Sequence, residues 1–272
     1  MNQQLEDSEA FAKLMTAIEP WRGHLVLIGG WCHRLHRMHP LASKQKHPVV
    51  HTRDTDLLIT KRPDLGADIR GALLAHGFRE DLSGDGNPAA AHYYLGEENS
   101  GFYAEFLLPE VPRRHPVTTE SVGHISAQVV KYTNVLALDP WIVTVGMDED
   151  LKMPTPMDVR VANPLCFLVQ KFLIKSSRPK AKRAQDLLYV HDTLQHFGER
   201  FEEMRDTWLG VVIPAIGDKH AGTIAQEWKN SANSEFDTAT AAAEIGRGRS
   251  PELTASSIQR ALGYAYQEII EG

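Results

Sequence analysis

The chain has 272 residues, 42% hydrophobic and 24% charged, enough to bury a substantial core in one large domain or two small ones. No apolar run reaches the roughly 18 residues that suggest a membrane span, and a net charge of -6 argues against a strongly basic nucleic-acid coat protein. Two cysteines, Cys32 and Cys166, cannot form a disulfide framework, and the acidic opening stretch lacks the basic-then-apolar pattern of a secretory signal, so the expectation is a cytoplasmic protein with no membrane.

Taken in chain order, Phe11, Leu14, Met15 and Ile18 recur at helical spacing over residues 5–20, ending at Pro20. His24 to Ile28 is a short apolar run that predicts a buried strand. Gly29-Gly30 ends it, and Trp31 to Met38 opens a helix with arginines and histidines interleaved, as on an amphipathic face. Pro40 to Pro48 predicts a loop, Val49 to Thr60 a second strand, and Ile69, Leu73 and Leu74 one apolar helix face. Ser83 to Pro88 is dense in turn formers. Strand patterns follow at His92 to Leu95, Phe102 to Leu108, Ala127 to Leu138 and Trp141 to Val145, and Val159-Arg160-Val161 ends a strand at the boundary near residue 160. From Asn163-Pro164 the apolar spacing becomes helical, and Ser250-Pro251-Glu252 resembles the N-terminal cap of a last helix reaching about Ile270. Trp208 and Trp228 read as core residues. The expected architecture is α+β: a mixed β-sheet with flanking helices over residues 1–160, followed by a helical domain over 161–272.

Asp54-Thr55-Asp56 carries the first chemical signal. On a strand, residues i and i+2 share a face, so the two carboxylates are neighbours and repel each other. A divalent cation between them relieves that repulsion, and hard oxygen donors suit Mg²⁺ or Mn²⁺. The alternative is a solvated Asp-x-Asp at a strand end. Upstream, Gly29-Gly30 lets the backbone approach a phosphate closely at a helix N-terminus, or merely makes a tight turn. Glu105, inside Phe102-Tyr103-Ala104-Glu105-Phe106-Leu107, is costly in so apolar a strand unless something charged meets it. It either completes a three-carboxylate site on a neighbouring strand or pairs with Arg53 or Arg113. Between Lys171 and Arg183 stand four lysines and two arginines with no acid, a solvated helix face or a phosphate-facing surface.

Together, Leu27-Ile28-Gly29-Gly30, Arg53-Asp54-Thr55-Asp56-Leu57-Leu58 and Ala104-Glu105-Phe106-Leu107 resemble the polymerase-β-like nucleotidyltransferase superfamily, within it the minimal bacterial nucleotidyltransferases that include the AbiEii-type toxins. Lys171, Arg178, Lys182 and Asp186 are similar to the helical residues on which such families bind nucleotide phosphates. The resemblance covers about residues 24–195.

It implies transfer of a nucleoside monophosphate from a nucleoside triphosphate to an acceptor hydroxyl. Asp54, Asp56 and Glu105 would hold metal, with Glu105 alternatively the base. Gly29, Gly30 and Arg53 would bind the nucleotide, and Lys171 and Arg178 would neutralise the departing pyrophosphate. Asp186 would orient Lys182 or Lys171. The acceptor would be an RNA or tRNA 3′ end, a protein hydroxyl or a small molecule, with an antitoxin as a possible partner. Two departures stand out: Trp31 follows the glycines where many members carry a serine, and 23 residues separate Gly30 from Asp54, longer than usual. A catalytically inactive nucleotide-binding protein on the same fold is the second reading, favoured by Trp31. A zinc site at His33, His36, His39, His47 and His51 is the third.

Overall fold

The computed structural model describes residues 3–50, 52–60, 68–84, 88–96, 101–111, 117–147, 151, 153 and 155–272. His51 and Arg113, and residues 85–87 of the turn-rich segment, lie outside them. The elements in chain order are α1 (Gln3–Ala17), β1 (Leu25–Ile28), α2 (Gly29–His36), β2 (Asp54–Ile59), α3 (Ile69–Ala75), β3 (Arg79–Ser83), β4 (Ala90–Leu95), β5 (Phe102–Pro109), β6 (Thr119–Val122), β7 (Ile125–Val130), β8 (Trp141–Val145) and β9 (Met157–Val161). The helices α4 (Pro164–Ile174), α5 (Lys180–His196), α6 (Phe201–Thr207), α7 (Ile213–Ile216), α8 (Asp218–Asn233), α9 (Phe236–Gly246) and α10 (Ala255–Tyr266) follow. The class is α+β, as the sequence pattern implies. Among the described residues no helix is long and apolar enough to cross a membrane.

The chain divides into two compact units. One comprises residues 1–39 and 51–162, the other residues 40–50 and 163–272. In the first, the strands form one mixed sheet in the order β3-β4-β5-β2-β1-β9-β8, with β7 pairing both β5 and β6. β1 runs antiparallel to β2 and parallel to β9, while β2 runs parallel to β5. Leu25 to Ile28 are buried throughout, as expected of a central strand whose two faces are both covered. Helix α2 is buried on nearly every side, from Gly30 to His36, so the amphipathic reading of that segment is corrected. Trp31 stacks on Phe11 at 4.1 Å between ring centroids and meets Phe102 edge-on at 5.8 Å. His36 Nε2 lies 2.8 Å from the carbonyl of Ala162.

Other boundaries differ from the sequence reading for local reasons. β2 begins only at Asp54. On α3, Ile69 and Leu73 are buried but Leu74 is exposed. β7 stops at Val130 because Tyr132 adopts a left-handed conformation (φ +60°) that turns the chain into a 3-10 segment over Thr133–Ala137. The last helix begins at Ala255, capped by Thr254 in a reciprocal capping box with Ser257, not at Ser250.

In the second unit, Asn163 caps α4 by accepting from the Leu165 N–H, with Pro164 in the first turn, as the sequence suggests. Trp228 is fully buried, stacked on Phe172 (4.9 Å), and donates its indole N–H to the Leu262 carbonyl (3.0 Å); Trp208 is also buried. The Pro40 to Pro48 loop is tied to these helices. Ser43 N–H donates to the His196 carbonyl (2.7 Å), Gln45 to that of Gln195 (2.9 Å), and Arg249 to that of Pro48 (2.7 Å).

Candidate active site

Strand alternation builds the site. Along β2, Thr55 and Leu57 point into the core, while Asp54 and Asp56 are half-buried on the opposite face. β5 lies parallel alongside, its register pairing Asp56 with Glu105 and Asp54 with Tyr103. Phe102, Ala104 and Phe106 fill the core, leaving Tyr103 and Glu105 on the same face as the aspartates. The three acids sought from the sequence therefore share one face of two adjacent strands. Thr52 donates its hydroxyl to Asp54 Oδ1. Arg53 is exposed, and its carbonyl accepts from the Tyr103 N–H (3.2 Å).

Gly29 and Gly30 enter from β1, the other neighbour of β2. Ile28 pairs with Asp56, and Gly29, at φ +64°, lies directly against the Asp56 carboxylate. A Cβ on Gly29 would collide with Asp56 Oδ2, and one on Gly30 would collide with Thr52. Glycine is thus required twice at Gly29, by its dihedral and by its neighbour. The unpaired N–H groups of the first turn of α2 begin at this point. Trp31, the next residue, is buried against Phe11 and offers no hydroxyl at this turn.

Glu105 is met by a residue the sequence reading missed. His92 on β4 stands opposite it in register, with Nε2 3.3 Å from Glu105 Oε1 and Nδ1 3.1 Å from Ser83 Oγ. The alternating His92-Tyr93-Tyr94 pattern was the available signal, but only the register of β4 on β5 makes the pair. Burial pushes the Glu105 carboxyl above its usual range. The charge of Asp54 adds to that rise, and His92 opposes it without cancelling it. Tyr103 is raised well above an ordinary phenol by burial first, then by Asp54, Glu105 and Asp56.

Such donors fit a hard divalent cation in kind. Among the described residues, though, no group of three or more His, Cys, Asp and Glu side chains is gathered into ligating geometry. With Glu105 turned toward His92, the two aspartates are the pair best able to hold an ion.

In the other unit, Asp186 is buried and receives two cations: Lys171 Nζ at 2.9 Å and Arg178 Nε at 3.0 Å. Lys171 also lies 5.1 Å from the Phe167 ring centroid. Lys182 is exposed and donates to Gln185 Oε1 (3.4 Å), so the structure brings Lys171, Arg178 and Asp186 together and leaves Lys182 apart from them.

The family model described as Nucleotidyltransferase matches residues 6–212. The chain belongs to this nucleotidyltransferase family. No curated protein matches it in sequence. Among solved structures it is similar to the crystal structure of JHP933 from Helicobacter pylori, at 11% identity and a TM-score of 0.48, over 98% of this chain and 93% of that one. Membership makes nucleotidyl transfer the general chemistry for which this nucleotidyltransferase is built. The matched span contains both the carboxylate face and the Lys171–Asp186 cluster.

Proposed function

We propose that the protein transfers a nucleoside monophosphate from a nucleoside triphosphate to an acceptor hydroxyl, with Mg²⁺ or Mn²⁺ held by Asp54 and Asp56. The observation that carries this reading is the placement of Asp54, Asp56 and Glu105 on one half-buried sheet face, with Gly29 directly against Asp56. A cation bound there offsets the mutual repulsion of the acids and lowers the pKa of the acceptor hydroxyl. Glu105, with its carboxyl raised by burial, accepts the hydroxyl proton more readily than a solvated glutamate does. Gly29, Gly30 and the first turn of α2 present backbone N–H groups to the triphosphate, and Arg53 is exposed next to Asp54 for the same charge. In the other unit, Asp186 holds Lys171 and Arg178 as a pair of cations suited to phosphate charge. The resemblance of the motifs to AbiEii-type proteins supports a role as the toxin of a toxin–antitoxin pair, with a neighbouring antitoxin as its partner.

A binding-only protein is the rival reading. Its supporting feature, Trp31, is accounted for by packing against Phe11 and Phe102.

Incubation of the purified protein with each α-labelled nucleoside triphosphate, Mg²⁺ or Mn²⁺, and cellular RNA and protein tests the proposal. Label should move to an acceptor band, and the Asp54→Ala/Asp56→Ala variant should lose at least about 10³-fold of that activity. Metal-dependent nucleotide binding with no transfer to any acceptor would favour the binding-only reading, and no binding at all would end both.

A further inference from the structure

The carboxylate face continues, strand by strand, into an aromatic surface that the transfer chemistry does not use. Tyr103 follows Asp54 across β2–β5, and Tyr94 follows Tyr103 across β5–β4, with His92 two residues away on the same face. The ring centroids lie 5.1 Å apart for Tyr94–Tyr103, 5.8 Å for His92–Tyr103 and 6.2 Å for His92–Tyr94. All three rings are half-buried, whereas Ala91, Tyr93, Ala104 and Phe106 on the opposite face are fully buried. Beyond Tyr94, Arg79 on β3 pairs with it in register and is exposed, its guanidinium donating to the Gly96 carbonyl (2.7 Å); Asp81 stands next to it, opposite His92.

The order across the sheet gives the surface a direction. The Gly29–Gly30 turn flanks β2 on its β1 side, and the aromatic rings flank it on the β5 side. In phosphoryl transfer the attacking and leaving oxygens lie roughly in line about the transferred phosphorus. A triphosphate placed at the glycines therefore puts the acceptor on the aromatic side. We infer that Tyr94, Tyr103 and His92 form a stacking platform for the terminal bases of a single-stranded nucleic acid whose 3′ hydroxyl is the acceptor. This rests on the transferase reading above. Aromatic side chains on a sheet surface stack bases with little sequence preference. Phosphates are repelled by the three acids but tolerated further out, where Arg79 supplies a positive charge. A cross-strand tyrosine pair also stabilises a sheet, so the test must read bases and not only folding.

The probes are a short single-stranded RNA with a free 3′ hydroxyl, the same strand ending in two abasic residues, and a non-hydrolysable nucleoside triphosphate with Mg²⁺. Each is titrated against the wild type and the Tyr94→Leu, Tyr103→Leu and Tyr103→Phe variants, with melting temperatures recorded alongside. The wild type should bind the intact strand about fivefold or more tightly than the abasic one. The leucine variants should lose that preference while holding the triphosphate as before, and Tyr103→Phe should keep it. Leucine variants that bind the intact strand like the wild type would overturn the platform, as would a loss confined to the triphosphate. A wild type that binds the triphosphate but no strand overturns the platform alone; one that binds neither overturns the transferase reading with it.

Discussion

Charged side chains gather in both units, and they are balanced in opposite ways. On the sheet, Asp54, Asp56 and Glu105 crowd one face, and burial together with the charge of Asp54 raises the Glu105 carboxyl despite His92 at 3.3 Å. Among the C-terminal helices, Asp186 answers Lys171 and Arg178, and Lys175 meets Glu235 at 2.6 Å, Glu227 at 2.9 Å and the Ser231 hydroxyl at 2.9 Å. In the helical clusters each buried charge meets an opposite one, whereas the sheet face sets three acids side by side on two adjacent strands. Removing one partner of a buried pair costs stability, whereas like charges gathered on one face cost it as they stand and mark a candidate functional site.

Removing Asp186 should produce the largest effect. Lys171 and Asp186 keep only 8% and 10% of their side-chain surface exposed, so Asp186→Ala leaves an uncompensated buried ammonium. The expected loss is about 3–5 kcal/mol, or on the order of 10 °C in melting temperature. A Lys171→Met/Asp186→Leu double variant should recover most of it, since the Arg178 side chain is 36% exposed and remains solvated. A melting curve unchanged in Asp186→Ala would break the contrast, because the helical cluster would then be as dispensable to folding as the acidic face.

On the sheet the sign reverses. Glu105 has a folded pKa raised above its ordinary value of 4.5, so the native state holds its proton more tightly than the unfolded chain does. Stability contributed through this group therefore falls as pH rises from about that value toward the raised one. Glu105→Gln should melt higher than the metal-free wild type at neutral pH, by about 1 kcal/mol or roughly 2–4 °C. The gain should vanish at a pH low enough to protonate Glu105 in both states. Adding Mg²⁺ should raise the wild-type melting temperature and raise that of Asp54→Ala/Asp56→Ala much less. A Glu105→Gln protein that melts lower at neutral pH would show that the His92 contact outweighs the burial cost.

The two regions were unequally legible in the sequence. A period of two places Asp54 with Asp56, and the positive φ of Gly29 is foreshadowed by glycine itself, so half of the acidic face is local information. That Glu105 lies beside Asp56 depends on β2 pairing in parallel with a strand distant in sequence, and His92 reaches Glu105 only through the β4–β5 register, which alternation alone does not specify. Tertiary burial likewise overrode the amphipathic look of α2: its histidines and Arg34 are enclosed with Trp31, and His36 meets the Ala162 carbonyl. Tyr132 illustrates the converse. A left-handed tyrosine carries no sequence signal, so the strand pattern ran on through residues 131–138 where the chain in fact turns.

Lys182 sharpens the comparison with the smallest expected effect. It belongs to the same basic run as Lys171 and Arg178, yet it is exposed and contacts Gln185 rather than Asp186. Lys182→Ala should therefore shift stability by no more than about 0.5 kcal/mol, which makes any functional change easy to read. If the exposed lysine meets the triphosphate, the variant should weaken binding of a non-hydrolysable nucleoside triphosphate about threefold to tenfold at low salt. That deficit should shrink as ionic strength rises, because a solvent-exposed charge pair is screened over roughly 8 Å at 0.15 M salt. An affinity unchanged at every salt concentration would remove Lys182 from the phosphate-binding set. Phosphate charge in the helical unit would then rest on Lys171 and Arg178, the two cations that Asp186 already holds in place.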